Sequence, residues 1–330
     1  MTTQVTTGVW MLGGQSITEM VQLAVQAEER GVDSVWVPDG YYGRDPFIAL
    51  TAVAGATSTI ALGTGITSPY LRHPTMLATT FATLDEISRG RVICGMGSGS
   101  RDQLAELGIT SRSPLGAMRE SVAILRSMLA GQRIDLDGTT FTAHVTRLGF
   151  RPTRPSVPVV IAAMGPKMCA LAGEIADGVF LQYGSQESIR TACASVKEGM
   201  ARRCDPVGRY RFSVATMMSV HRDRATAIDQ IRSTVGRLIT EPGAEAFLTA
   251  NGLDPGAAER VRTGLKDGGS RGMAAAVTDE VATTLAAAGT VEDCCEALRR
   301  TVEAGGNDLV VTLRGDQAEL GLRVLEMIRG

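Results

Sequence analysis

The sequence predicts an α/β fold, specifically a (β/α)8 TIM barrel, and three observations carry that expectation. A short apolar run, a turn bearing glycine or proline and an amphipathic helical segment recur along the 330 residues. Eight such units imply parallel strands joined by right-handed crossovers, which close naturally into a barrel. The competing architecture, an open doubly wound sheet, would favour GxGxxG in the first turn, and Leu12-Gly13-Gly14-Gln15-Ser16 lacks it.

Val9–Leu12 is the first strand. Ser16 and Glu19 form a capping-box pattern, with Met20, Leu23, Ala24 and Ala27 on one helical face and Gly31 closing the helix. Ser34–Val37 and Ile60–Ile66 are the next strands, with helices over Pro46–Ala56 and from Pro74. Arg91–Met96 is the fourth strand, and Ser113-Pro114 opens a helix with Pro at its first position. Pro158–Ala163, Gly178–Leu181, Arg211–Val220 and Leu309–Leu313 complete the strands. Helices are expected from Gly165-Pro166 and over Gln186–Arg202, Ala225–Leu238 and Ala318–Ile328. Two stretches break the rhythm. Residues 132–148 alternate around Asp137-Gly138 as a hairpin inserted before strand 5, and residues 242–290 form a helical insert before strand 8. The whole chain, 1–330, is expected to be one barrel domain carrying these inserts.

The composition is 44% hydrophobic with a net charge of −2, which suits a sizeable core and gives no nucleic-acid footprint or polybasic membrane anchor. The basic residues are nearly all Arg, with Lys at 167, 197 and 266 only. The six cysteines form no CxxC pair, no apolar stretch is long enough to span a membrane, and the first residues lack a signal-peptide pattern. A reduced, cytoplasmic protein is the expectation. His73, His144 and His221 are scattered, so no metal site is expected.

Functional groups of such barrels sit after the strand C-termini. Asp39 ends the second strand, where it either points into the mouth or caps the next helix. Gly63–Pro74 follows the third strand, its glycines suited either to a ring pressed on the backbone or to a simple turn. Gly95, Gly97 and Gly99 alternate after the fourth strand, a pattern that suits a flat ligand or phosphate. Met164-Gly165-Pro166-Lys167 starts a helix directly from the fifth strand. Lys167 is unfavourable in that first turn unless an anion relieves it, the alternative being a solvated lysine.

Taken in order along the chain, these segments resemble the bacterial luciferase-like superfamily, and within it the coenzyme F420-dependent branch that includes methylenetetrahydromethanopterin reductase. Asp39-Gly-Tyr41, Gly63–Pro74, Ala82–Arg91, Gly95–Gly99, Met164–Lys167 and Ala172–Gly178 carry the resemblance. It implies a non-prolyl cis peptide at Gly65–Ile66 that props a deazaflavin into a bent shape. Asp39 would lie near the ring, Thr67, Ser68, Ser98, Gly99 and Gln103 would line the cofactor, and Met164, Gly165, Lys167 and Met168 would cover its phosphate and ribityl chain.

The chain also departs from the branch. The His that donates a proton in the sugar-phosphate dehydrogenase is replaced by Gly40, and its Glu base by Ser100; a Glu of the reductase's first strand is lost near Trp10. General acid–base work needs a titratable group in reach, and neither Gly40 nor Ser100 supplies one. A proton could come from water or from a phenol, Tyr41, Tyr42 and Tyr70 being the nearest candidates and each alternatively an aromatic wall; Trp10, Tyr70 and His73 are assigned to the substrate pocket. The expected activity is hydride transfer between F420 and a small organic substrate: an imine, an alkene or a pterin-like methylene group. The alternatives are a monooxygenase using reduced FMN and a non-catalytic cofactor-binding relative. A homodimer is expected by resemblance, with no partner beyond a small molecule.

Overall fold

Local signals start most of the helices. Ser16 and Glu19 exchange side-chain-to-backbone bonds as a capping box for α1 (Ile17–Glu29), after β1 (Thr6–Trp10). β2 (Ser34–Val37) leads to α2 (Pro46–Ala56), where Asp45 accepts from the amides of Phe47 and Ile48 ahead of Pro46. β3 (Ala61–Thr64), α3 (Pro74–Ile87), β4 (Val92–Met96), a short α4 (Arg101–Glu106) and α5 (Pro114–Leu129) follow. The inserted hairpin is β5 (Ile134–Asp137) and β6 (Thr142–Thr146). β7 (Val159–Ala162), α6 (Pro166–Ile175), β8 (Gly178–Gln182), α7 (Gln186–Met200) and β9 (Arg211–Thr216) come next. The chain ends with β10 (Met218–Val220), α8 (Arg224–Leu238), α9 (Ala244–Ala250), α10 (Gly256–Ala275), α11 (Asp279–Leu285), β11 (Ala287–Gly289), α12 (Val291–Glu303), β12 (Asp308–Thr312) and α13 (Ala318–Arg329).

This computed structural model describes residues 5–40, 42–205 and 207–329. The strands close into a barrel in the order β1-β12-β9-β8-β7-β4-β3-β2. Parallel pairing is evident from β1 through β2, β3, β4 and β7 to β8. The predicted (β/α)8 barrel is therefore what the chain forms. Among the described residues no helix is long and apolar enough to cross a membrane, and no cluster of three or more His, Cys, Asp or Glu could hold a metal.

Packing divides the chain into two units. Gly8–Leu181 with Ala192–Ser213 form one, and Gln182–Thr191 with Val214–Gly330 belong to the other. The first has a core around Trp36, Phe81 and Met11, all fully buried. In it Phe180 packs edge-on to Trp36 at 5.0 Å and tilted against Trp10 at 5.2 Å. The ring of Trp36 needs a glycine on the neighbouring strand, since a Cβ on Gly63 would sit 2.3 Å from it.

The second unit has its own apolar cluster, built by Ile228, Ile231 and Val235 of α8, Leu248 of α9, Val261 and Met273 of α10, and Leu285 of α11. Of these helices α9, α10 and α11 lie in the region read as a helical insert, 242–290, whereas α8 is the helix expected after the seventh strand. α10 is kinked where Gly269 leaves helical geometry at φ +60. Three details differ from the sequence expectation. The seventh strand breaks at Met217, and its outer part, β10, pairs in parallel with β11. α12, started by a Thr290–Asp293 capping box, and α4 were not foreseen.

The segment Ala82–Arg91, part of the resemblance, is structural. Asp85 is buried and ion-paired to Arg154 at 2.5 Å. Arg91 donates to the carbonyls of Ile60, Ala54 and Thr57 at 2.8, 3.0 and 3.0 Å, tying α2 to the start of β3.

Candidate active site

All the proposed cofactor residues fall in the first unit. Their centre is the bulge after β3. The Gly65–Ile66 peptide is cis, at the bond the family resemblance implied. Ladder bonds resume on either side of it: Gly65 N–H donates to Val37 O at 2.7 Å, and Thr67 N–H to Gly95 O at 3.0 Å. The Thr64 hydroxyl donates to Gly95 O at 2.8 Å and accepts from Gly95 N–H at 3.0 Å. Trp10 lies under the bulge, its ring 3.2 Å from where a Gly65 Cβ would be.

The alternating glycines after β4 therefore divide their work. A Cβ on Gly95 would meet Thr64 O at 1.9 Å, and one on Gly97 would meet Ile66 Cγ2 at 3.1 Å. Both leave room for the protein's own bulge rather than for a ligand. Gly99 alone has φ in the left-handed region, at +74, and it is exposed. Ser98 is half-buried beside it, and Gln103 is exposed on the first turn of α4.

Asp39 does not cap the following helix, since Asp45 does. Its side chain is 7% exposed and pairs with Arg72. The Thr67 hydroxyl donates to the same Asp39 Oδ2 at 2.7 Å. Thr67 is fully buried, and Ser68, 4% exposed, turns the chain by accepting from the Tyr70 amide at 3.3 Å. Arg72 was missed by sequence reasoning, although a cation two residues before a helix-starting Pro74 was there to be noticed.

Met164 is 72% exposed, and Gly165, Pro166 and Lys167 are exposed with it, while Met168 is half-buried. β4 and β7 pair side by side, with Met96 opposite Ile161, so Ser98–Gly99 and Met164–Lys167 leave adjacent strand ends. α6 starts at Gly165 with no side-chain cap. The amides of Met168 and Cys169 both turn back to Gly165 O. Lys167 lines a cleft of about 180 Å³ with Arg119, Glu174 and Arg202. Glu174 is taken up by a two-pronged Arg119 contact at 2.7 and 3.0 Å, so the cleft keeps a net positive charge.

The candidate proton donors are otherwise engaged. Tyr41 lies outside the described residues. Tyr42 is 72% exposed and donates to Glu106 at 2.9 Å; that bond pushes its phenol up. Tyr70 donates to Arg112 O at 2.6 Å, and burial, then Glu120, pushes it up as well. His73 is the N-cap of α3, and burial pulls its imidazole down, toward the neutral form. Ser100 caps α4 through the Gln103 amide.

Tyr70 and His73 do share a wall, with a third ring the sequence did not reveal. Phe141, at the hairpin tip, lies 6.0 Å from Tyr70 and edge-on to His73 at 5.5 Å. Glu120 holds that tip by accepting from the amides of Thr139, Thr140 and Phe141 at 2.7, 3.0 and 2.9 Å.

The profile of luciferase-like monooxygenases matches residues 1–308. The chain belongs to that family. It is 33% identical over 288 residues to the 5,10-methylenetetrahydromethanopterin reductase of Archaeoglobus fulgidus, covering 86% of each chain. It is 30% identical over 228 residues to an F420-dependent glucose-6-phosphate dehydrogenase of Kineococcus radiotolerans, covering 65% of this chain and 67% of that one. The structure of the coenzyme F420 dependent tetrahydromethanopterin reductase of Methanopyrus kandleri superposes with a TM-score of 0.88 at 26% identity, over 98% of this chain and 97% of that one. An F420-dependent secondary alcohol dehydrogenase shares the fold, with a TM-score of 0.82 at 21% identity.

Proposed function

We propose that this chain is an F420-dependent oxidoreductase that moves a hydride between the deazaflavin and a small organic substrate, an imine, an alkene or a pterin-like methylene group. The observation that carries the reading is the largely buried Asp39 carboxylate after β2, tied by the Thr67 hydroxyl to the bulge after β3. Relatives that bear F420 in their names match 65% of this chain by sequence and 98% of it by structure.

The residues present fit the group. A tricyclic ring needs a fixed ledge and an acceptor for its edge donors; Ile66 on its cis bond and Asp39 supply them. A phosphate needs amide donors and positive charge. The uncapped first turn of α6 and Lys167 supply both. When bound, the deazaflavin supplies the hydride chemistry. The chain's part is to bind and orient: Trp10, itself packed on Phe180, abuts the bulge at Gly65, Asp39 offers a carboxylate oxygen, and Phe141, Tyr70 and His73 form an aromatic wall.

Titrating the purified chain with F420 and with FMN, and following substrate reduction with each reduced form, tests the reading. Micromolar or tighter F420 binding with saturable turnover is expected. Tight FMN binding with oxygen uptake and no F420 binding would establish the monooxygenase instead. Binding without turnover of any reductive substrate would leave a cofactor-binding relative.

A further inference from the structure

Arg72 joins two carboxylates from different segments. One Nη pairs with Asp39 Oδ2, and Nη2 lies 2.7 Å from Asp45 Oδ2. A guanidinium is a rigid planar fork, so fixing one partner fixes the direction of the other. Asp45 is itself oriented by its Oδ1, which accepts from the amides of Phe47 and Ile48 at 2.9 and 3.1 Å at the start of α2. The guanidinium also stands 5.1 Å above the ring of Phe47, which packs edge-on to Phe81 at 5.3 Å. The α2 N-terminus thus holds Asp45, Asp45 and Phe47 hold Arg72, and Arg72 holds Asp39.

The consequence lies in which oxygen is left. Arg72 and the Thr67 hydroxyl both address Asp39 Oδ2. Oδ1 has no hydrogen-bond partner among the described residues, on a side chain only 7% exposed. Oδ1 is therefore the carboxylate acceptor left for a donor on a bound ligand.

We propose that Arg72 is a positioning residue, which orients Asp39 so that Oδ1 is the acceptor offered to an N–H or O–H donor on the bound cofactor ring. The inference rests on Asp39 standing at the ring, as proposed above. In this role Arg72 acts on the cofactor through Asp39. A lysine in its place would provide one ammonium on a flexible stem and could not set the plane of the Asp39 carboxylate.

A double-mutant cycle on the full chain tests it. Kd for F420 is measured by deazaflavin fluorescence for the wild type, Arg72→Met, Asp39→Asn and the pair, with thermal melts alongside. Each single change should weaken binding about tenfold, and the pair should be no weaker than Asp39→Asn alone. Arg72→Lys should restore the melting temperature but not the affinity, and Asp45→Asn should show part of the Arg72→Met loss; these two keep the test open if Arg72→Met fails to fold. Losses that multiply in the pair, or full rescue of affinity by Arg72→Lys, would overturn the inference while leaving F420 as cofactor. If the wild type binds FMN and not F420, the F420 reading falls and the same cycle, run on FMN, decides Arg72. A wild type that binds neither overturns both.

Discussion

Replacing Gly95 by Ala tests most directly what the glycines after β4 are for. The new Cβ would lie 1.9 Å from Thr64 O and 3.1 Å from Thr64 C, both backbone atoms. Neither can rotate away as a side chain could, so β3 and β4 must part by more than an ångström at the residue preceding the cis Gly65–Ile66 bond. The shift would break two bonds between Thr64 Oγ1 and Gly95 and the Thr67 N–H to Gly95 O bond. Overpacking in a tight core costs typically 1–3 kcal/mol, and this contact falls at the upper end, about 3 kcal/mol. Gly97→Ala meets side-chain atoms alone, the nearest Ile66 Cγ2 at 3.1 Å and Ala162 Cβ at 3.3 Å, so about 1 kcal/mol is expected. Gly13→Ala meets nothing within 4 Å and serves as the control. Urea midpoints and F420 affinity, measured on all three, should fall in the order Gly13, Gly97, Gly95. If Gly95→Ala loses cofactor affinity while its urea midpoint matches the control, the glycine makes room for a ligand and not for the Thr64 carbonyl.

Lys167→Glu should weaken F420 binding by tenfold or more, about 1.4 kcal/mol, without moving the urea midpoint; unchanged affinity would remove the phosphate assignment. Burial pushes the Glu28 carboxyl up, but the amides of Ile60, Thr59 and Ser58 outweigh it and hold the group at about 2, below its usual 4.5. A depressed folded-state value stabilises above the unfolded one. Wild type should therefore exceed Glu28→Gln by about 1–2 kcal/mol near neutrality, after discounting for solvent exposure, and the gap should close as pH falls from 4.5 toward 2. A gap that is constant across that window would contradict the assignment. Arg154→Met strands Asp85, whose side chain is 2% exposed; denaturation should show a loss of about 3 kcal/mol, and a neutral result would mean Asp85 finds another partner.

The barrel was legible because its signals are local. Ser16-x-x-Glu19, Gly31, Asp45-Pro46 and His73-Pro74 each fix a helix end through bonds within a few residues. The cis bond was legible only through resemblance. What stayed hidden depends on pairs far apart in the chain. Nothing near Arg72 announces that it will meet Asp39, 33 residues away, and nothing near Phe141 announces Tyr70. Gly95 and Gly97 misled for the same reason. A glycine reports that something approaches closely, but not whether that something is a ligand or the neighbouring strand's carbonyl.

The engaged hydroxyls narrow the proposed chemistry. Tyr42 and Tyr70 donate hydrogen bonds to Glu106 and Arg112 O, and both phenols are pushed above their usual value. His73 caps a helix and leans to the neutral form, Ser100 caps another, and Gly40 has no side chain. General acid catalysis asks for a titratable group near the working pH within bonding reach, and none of these meets both conditions. Hydride addition to a carbonyl or a polarised alkene leaves an anion that must be protonated. Addition to a cationic carbon–nitrogen double bond leaves a neutral amine and calls for no proton from the protein. Among the described residues, the candidate donors therefore favour the imine-like and pterin-like acceptors over alkenes, within the substrate classes proposed. With such an acceptor in its cationic form, the rate of hydride transfer measured by stopped flow should be nearly the same in light and heavy water. A solvent isotope effect of about two or more would mean that a proton moves in the same step, and would point to a donor among the capping and phenolic groups.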